Sequence, residues 1–150
     1  MAQSLAKIYV HIIFRTKNQD ILIDDNVRVE LHRYMIGILN KWECPVLKIG
    51  SVEDHVHILC MLSRNYPVKK ILEEVKKGSS KWLKTKGSRY SYFQWQNGYG
   101  IFSVSQSKIE SVDKYIENQQ EHHRRESFQD EYRRFLKAYN IEYDERYVWD

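Results

Sequence analysis

VLKIGSVEDHVHILCML, residues 46–62, is the stretch on which the fold turns. Two runs rich in β-branched and apolar residues, 46–52 and 55–62, flank the tight polar corner Glu53-Asp54, and their simplest arrangement is an antiparallel hairpin. Side chains alternate across a strand, so Val56, Ile58, Cys60 and Leu62 share one face while His55 and His57 point together from the other. Toward the amino end, Ile8, Val10, Ile12 and Phe14 alternate with Lys7, Tyr9, His11 and Arg15, and only Ile13 is out of step, which predicts a first strand. Between this strand and the hairpin, Asp24 and Asp25 are candidate caps. Val27, Leu31, Tyr34, Met35, Ile38, Leu39 and Trp42 then recur at helical spacing until Cys44-Pro45 ends the run.

Toward the carboxyl end, residues 63–67 read as a loop. Ile71, Leu72, Val75, Trp82 and Leu83 form the apolar face of a lysine-rich second helix that closes at Lys86-Gly87-Ser88. Gly78 within it costs about 1 kcal/mol relative to alanine, which suggests a close approach to the backbone there. Residues 92–105 suit a strand or bent ribbon. The order strand, helix, strand, strand, helix, strand predicts an α+β fold: a ferredoxin-like split β-α-β antiparallel sheet with helices on one face and the other face open. Residues 109–125 and 128–139 read as helices appended to that core, and 141–150 as an acidic, aromatic tail without a clear period. The expectation is one domain over residues 1–150, with a core at about 5–105 and the appended helices at about 108–140.

Composition narrows the function. A chain of 150 residues buries roughly 70% of its unfolded surface and needs no covalent staples. Six Gly and two Pro exclude a linker or low-complexity chain. Two cysteines, Cys44 and Cys60, outside any CxxC pair, argue against a secreted disulfide framework. No signal peptide is evident, and no apolar run approaches the ~20 residues of a membrane span, so a cytoplasmic protein is expected. Of the net charge of +4, residues 64–89 carry +7, with nine Lys and Arg against two Glu, and the remainder is acidic. Concentrated charge with 20 aromatic residues fits a polyanion, nucleic acid above all, although a solvated lysine face would look the same.

An H-x-H pair on a strand is a two-ligand metal platform. Cys60 lies on the wrong face of its strand and Cys44 across a proline corner, so no zinc tetrahedron assembles locally. In SVDKYIENQQEHHRR, residues 111–125, Tyr115, Gln119 and His122 fall on one helical stripe. An amide oxygen with two imidazoles leaves positions for phosphate oxygens and suits Mg2+ or Mn2+. Beside such an ion Tyr115 becomes a candidate nucleophile on a phosphodiester. Free phenol ionises near a pKa of about 10, so it needs the cation's field or a basic neighbour such as Lys114, His122 or His123. Taken alone, Tyr115 is one tyrosine among eleven on an amphipathic helix.

HVH at 55–57, KKGSSKWL at 76–83, WQNGYGIFSVS at 95–105 and YIENQQEHH at 115–123, in that order, resemble the single-tyrosine HUH transposases of small insertion sequences, the TnpA type, over nearly the whole chain. The resemblance implies that His55, His57 and Gln119 hold a divalent metal, Mg2+ or Mn2+, and that Tyr115 is the nucleophile, with His122 and His123 near the site. It implies a single-stranded DNA substrate, a 5′-phosphotyrosine intermediate, a free 3′-hydroxyl, hairpin ends of an insertion sequence and a homodimer. In such a dimer the tyrosine helix can cross to the partner, with residues 105–108 as tether.

Lys69, Lys70, Lys76, Lys77, Lys81 and Lys84 are the expected DNA-binding group, flanking the open sheet face, and His11 can approach the same face. A non-catalytic or domesticated single-stranded nucleic-acid binder is the alternative, but stacking and charge alone have no use for the H-x-H and Tyr-Gln set. A histidine phosphoesterase ranks last, because it wants two separated H-x-[ST] elements.

Overall fold

A computed structural model describes residues 2–119 and 124–150. Four strands, β1 (Tyr9–Arg15), β2 (Val46–Ser51), β3 (His55–Met61) and β4 (Gly100–Val104), form one antiparallel sheet in the order β2-β3-β1-β4. The helices α1 (Asp25–Lys41) and α2 (Val68–Lys84) supply the two crossovers of the expected ferredoxin-like α+β fold. In the central pair, Ile13 stands opposite His57 and Arg15 opposite His55. Of the predicted ribbon at 92–105, only β4 is regular strand; the segment before it makes a single bridge, Thr16 with Trp95.

The alternation read from the sequence sorts the core. Val10, Ile12 and Phe14 of β1 and Val56, Ile58 and Cys60 of β3 meet Leu31, Met35, Leu39, Ile71, Leu72, Val75 and Leu83 from α1 and α2. Cys44 and Cys60 are buried free thiols in this layer, and burial pushes Cys60 up to about 12. Gly78 has the close approach its position suggested: a Cβ there would fall 2.7 Å from Ile38 Cδ1, so α1 and α2 touch where α2 has no side chain. Asp24 occupies the N-cap position of α1 without a side-chain cap bond; its carboxylate pairs with Arg89 instead.

The second face of the sheet differs from expectation. Instead of lying open, it is covered by α3 (Ile109–Glu117) and α4 (Phe128–Ala138). Ile13 packs with Phe102, Phe128, Tyr132 and Leu136, and Leu59 with Tyr9, Val104 and Ile116. The reason is compositional: Tyr9, Ile13, Leu59, Phe102 and Val104 make this face apolar, and two amphipathic helices bury it. Ser127 caps α4 by accepting a hydrogen bond from the Asp130 amide at 3.2 Å. Among the described residues, no helix is long and apolar enough to cross a membrane.

Candidate active site

Three elements bring the candidate residues together between the sheet and its second helix layer. His55 and His57 come from β3 and are buried, at 1% and 0% exposure. Tyr115 comes from α3, which docks on β2 because position 50 is glycine: a Cβ there would lie 2.8 Å from the Ile116 carbonyl oxygen. Lys48 on β2 also pairs with Asp113 on α3 at 3.5 Å. Residues 105–108, expected as a tether between subunits, include a single 3-10 turn, Gln106–Lys108, after which α3 folds back on its own chain. The predicted helix over 109–125 breaks: α3 ends at Glu117, and the capping Asn118 N–H donates back to Ile116 and Lys114. Gln119, just past the break, still reaches His55, with its Nε2 2.8 Å from His55 Nε2. His122 and His123 lie outside the described residues. Lys114 is exposed and pairs with Glu110 at 3.7 Å, so it is not the basic neighbour of Tyr115.

The residue that joins these groups is Glu131 of α4, which the sequence reading missed. Its Oε1 lies 2.9 Å from His57 Nε2 and 3.4 Å from His55 Nε2, and its Oε2 accepts a hydrogen bond from the Tyr115 hydroxyl. The available signal was an acid inside an apolar stripe, since Glu131 shares the buried side of α4 with Phe128, Tyr132 and Leu136.

The opposite ring nitrogens of the histidines are also occupied. His55 Nδ1 is 2.6 Å from Asp54 Oδ1, and His57 Nδ1 is 2.7 Å from His11 Nε2. Such partners fix the ring orientation and leave the Nε2 atoms directed at one centre, the usual support for metal-binding imidazoles. His11 was expected to approach DNA; it is instead 2% exposed and engaged with His57.

Electrostatics follow from burial and contact. Burial raises the cost of the Glu131 carboxylate, but hydrogen bonds from His55 and His57 more than compensate and hold it well below the usual carboxylate range. For His55, burial opposes protonation, yet Asp54 and Glu131 together raise it. Burial and the neighbouring His57 push His11 well below the usual imidazole range, which favours its neutral form. Burial and the negative Glu131 push the Tyr115 phenol up, and Arg134, donating to the same oxygen at 2.8 Å, opposes them.

His55, His57 and Glu131 offer ligand atoms within 4.8 Å of one another. Gln119 is 3% exposed, and its Oε1 is buried without a hydrogen-bond partner among the described residues. Two imidazoles and a carboxylate, with the Gln119 side chain against His55 and its amide oxygen unpaired, fit a divalent cation that takes nitrogen and oxygen donors.

The lysines lie elsewhere than expected. α2 packs on the sheet face opposite His55 and His57, so its cations do not flank the histidine face. Lys69, Lys76, Lys77, Lys81 and Lys84 join Lys17 along a groove of about 610 Å3 between α2 and residues 94–99, where Trp95 and Tyr99 also line the wall. Lys70 is not among the lining residues; it pairs with Glu74 at 2.9 Å and sits 5.7 Å over the Trp42 ring. Lys76 donates to the Asn97 and Gly98 carbonyls at 3.0 and 2.8 Å, and burial lowers it to about 8. Lys17, Lys69, Lys81 and Lys84 make no ion pair among the described residues.

The geometry is thus a buried H-x-H pair on a central strand of a ferredoxin-like sheet, with the Tyr115 helix laid across it. The chain belongs to the family described as transposase IS200 like, whose sequence model matches residues 4–119. Among solved structures, a Deinococcus radiodurans R1 protein described as a transposase matches with a TM-score of 0.61 at 20% identity, over 79% of this chain and 98% of that one. A REP-associated tyrosine transposase bound to a REP hairpin matches with a TM-score of 0.58 at 12% identity, over 82% of this chain and 73% of that one. Among curated proteins no relative matches. The two structures share the fold, and the family supports transposase function.

Proposed function

We propose that this chain is a metal-dependent transposase that nicks and rejoins single-stranded DNA at insertion-sequence ends, in the cytoplasm, through a 5′-phosphotyrosine formed on Tyr115. The observation that carries the reading is convergence within one chain: the Tyr115 hydroxyl and His57 Nε2 meet on the two oxygens of one carboxylate, Glu131. His55, His57, Gln119 and Glu131 are the residues to hold Mg2+ or Mn2+. When bound there, the cation supplies Lewis-acid polarisation of the scissile phosphate.

The protein's own residues do the rest. Asp54 and His11 orient the imidazoles, and α3 fixes the phenol beside them. The Tyr115 oxygen attacks phosphorus and the P–O3′ bond breaks; the phenolic proton is matched by the one gained by the released 3′-hydroxyl. The phosphotyrosine keeps the bond available for rejoining, which is transfer rather than hydrolysis.

The groove along α2, with Lys17, Lys69, Lys81 and Lys84 free of ion pairs among the described residues and the half-buried ring of Tyr99 on its wall, is the proposed seat for the DNA backbone and bases. Hairpin DNA is the proposed partner, as in the tyrosine transposase of similar fold, with two copies of the chain bringing two ends together.

The test is to incubate the protein with labelled single-stranded DNA from the flanks of its gene and Mg2+ or Mn2+, and to look for an adduct that survives denaturant. Tyr115→Phe should abolish the adduct and leave DNA binding intact. An adduct that persists in this variant would refute the assignment.

A further inference from the structure

Tyr115 forms part of the wall of an open cavity of about 490 Å3 between the end of β4, the start of α3 and one side of α4. Lys108 and Arg134 line it, Ser105 and Ser111 add hydroxyls, and no carboxylate does. The ammonium of Lys108 makes no ion pair among the described residues. Arg134 is committed on one side only. Its Nη2 donates to the Tyr115 hydroxyl at 2.8 Å and to Glu126 Oε1 at 2.9 Å, and its Nε donates to Glu126 Oε2 at 3.2 Å. Nη1 has no partner among the described residues, and the side chain is half-exposed.

Two cations facing a cavity without an anion form a receptor for an anionic group, and a guanidinium matches the geometry of phosphate oxygens. The attacking atom is already one of its hydrogen-bond partners. A group that holds phosphate through Nη1 while Nη2 stays on the phenol oxygen sets the distance and line of attack, and stabilises charge that develops on that oxygen.

We propose that Arg134 is a catalytic residue, receiving the scissile phosphodiester of single-stranded DNA in this cavity and steadying the Tyr115 oxygen as it attacks, with Lys108 adding affinity for the strand. The assignment rests on Tyr115 being the nucleophile. In the step assisted, the Oη–P bond forms, the P–O3′ bond breaks, and one proton lost by the phenol is balanced by one gained at the 3′ oxygen. Arg134 stays charged throughout, so no further reactant is needed.

The experiment measures single-turnover adduct formation at saturating DNA, together with the dissociation constant for the same strand, in wild type, Arg134→Lys, Arg134→Gln, Lys108→Ala and Tyr115→Phe. Arg134→Gln should slow the rate about 100-fold or more, and Arg134→Lys at least tenfold because it keeps charge but loses the fork. Both should alter the dissociation constant less than the rate. Lys108→Ala should raise the dissociation constant for the strand.

A saturated rate within threefold of wild type in both Arg134 variants overturns the inference, as does an Arg134→Lys protein that loses its folded circular-dichroism spectrum, since Arg134 would then be structural. An adduct in Tyr115→Phe is a separate failure: it removes the nucleophile assignment, whatever the Arg134 variants show.

Discussion

Nε2 of His11 stands 2.7 Å from Nδ1 of His57, a buried contact between neighbouring strands of the sheet. Because His57 then presents Nε2 to Glu131, His11 sets which nitrogen is free to bind a cation. His11→Ala should weaken Mn2+ binding by about 10- to 100-fold, measured by calorimetry on the metal-free protein. Equal affinity in the variant would remove the orienting role.

Gly50 and Ile116 make a second checkable contact. The missing Cβ is what admits the α3 backbone, so Gly50→Ala must push α3 away from β2. The expected cost is about 1–3 kcal/mol in denaturant unfolding, accompanied by lower adduct yield because Tyr115 moves with its helix. Unchanged stability and yield would mean that α3 does not dock there in solution.

Leu136 on α4 is 4% exposed and packs with Ile13, Phe102, Phe128 and Tyr132. Leu136→Ala should cost about 2–5 kcal/mol and lower metal affinity as well, since Glu131 is carried on the same helix. A stability loss within experimental error would indicate that α4 is not seated on the sheet.

His32 supplies a pH dependence remote from the metal residues. Its Nε2 is 2.7 Å from Ser51 Oγ, and burial with the nearby Arg28 charge lowers it to about 4. The folded state therefore refuses a proton that the unfolded chain accepts near 6.5. The contribution is fully present above that pH and is lost as pH falls toward 4, at most about 3 kcal/mol. Denaturant unfolding at pH 7.5 and 4.5 should show a smaller drop in His32→Gln than in wild type; equal drops would exclude His32 as a source.

The hairpin, the first strand and the two crossover helices were legible because each has one dominant period, and the H-x-H pair was legible because alternation on a strand requires no tertiary information. The second helix layer was not. Its trace was Ile13, an apolar residue on an otherwise polar-looking face, together with Leu59 beside the histidines.

Glu131 was hidden for a related reason. It lies 74 residues from His57, and an acid on an amphipathic helix reads as a solvent-facing group unless its apolar neighbours on α4 are already known to be buried. The lysines were misplaced because a helical stripe gives direction around its own axis and not the side of the sheet on which the helix lands. The break at Asn118 carried no proline or glycine to announce it.

One carboxylate on one helix thus serves two clients, the imidazole pair beneath it and the phenol beside it. Lifting α4 would strip both at once, so the metal donor set and the poise of the nucleophile behave as a single key turning two locks, and neither is adjusted without disturbing the other.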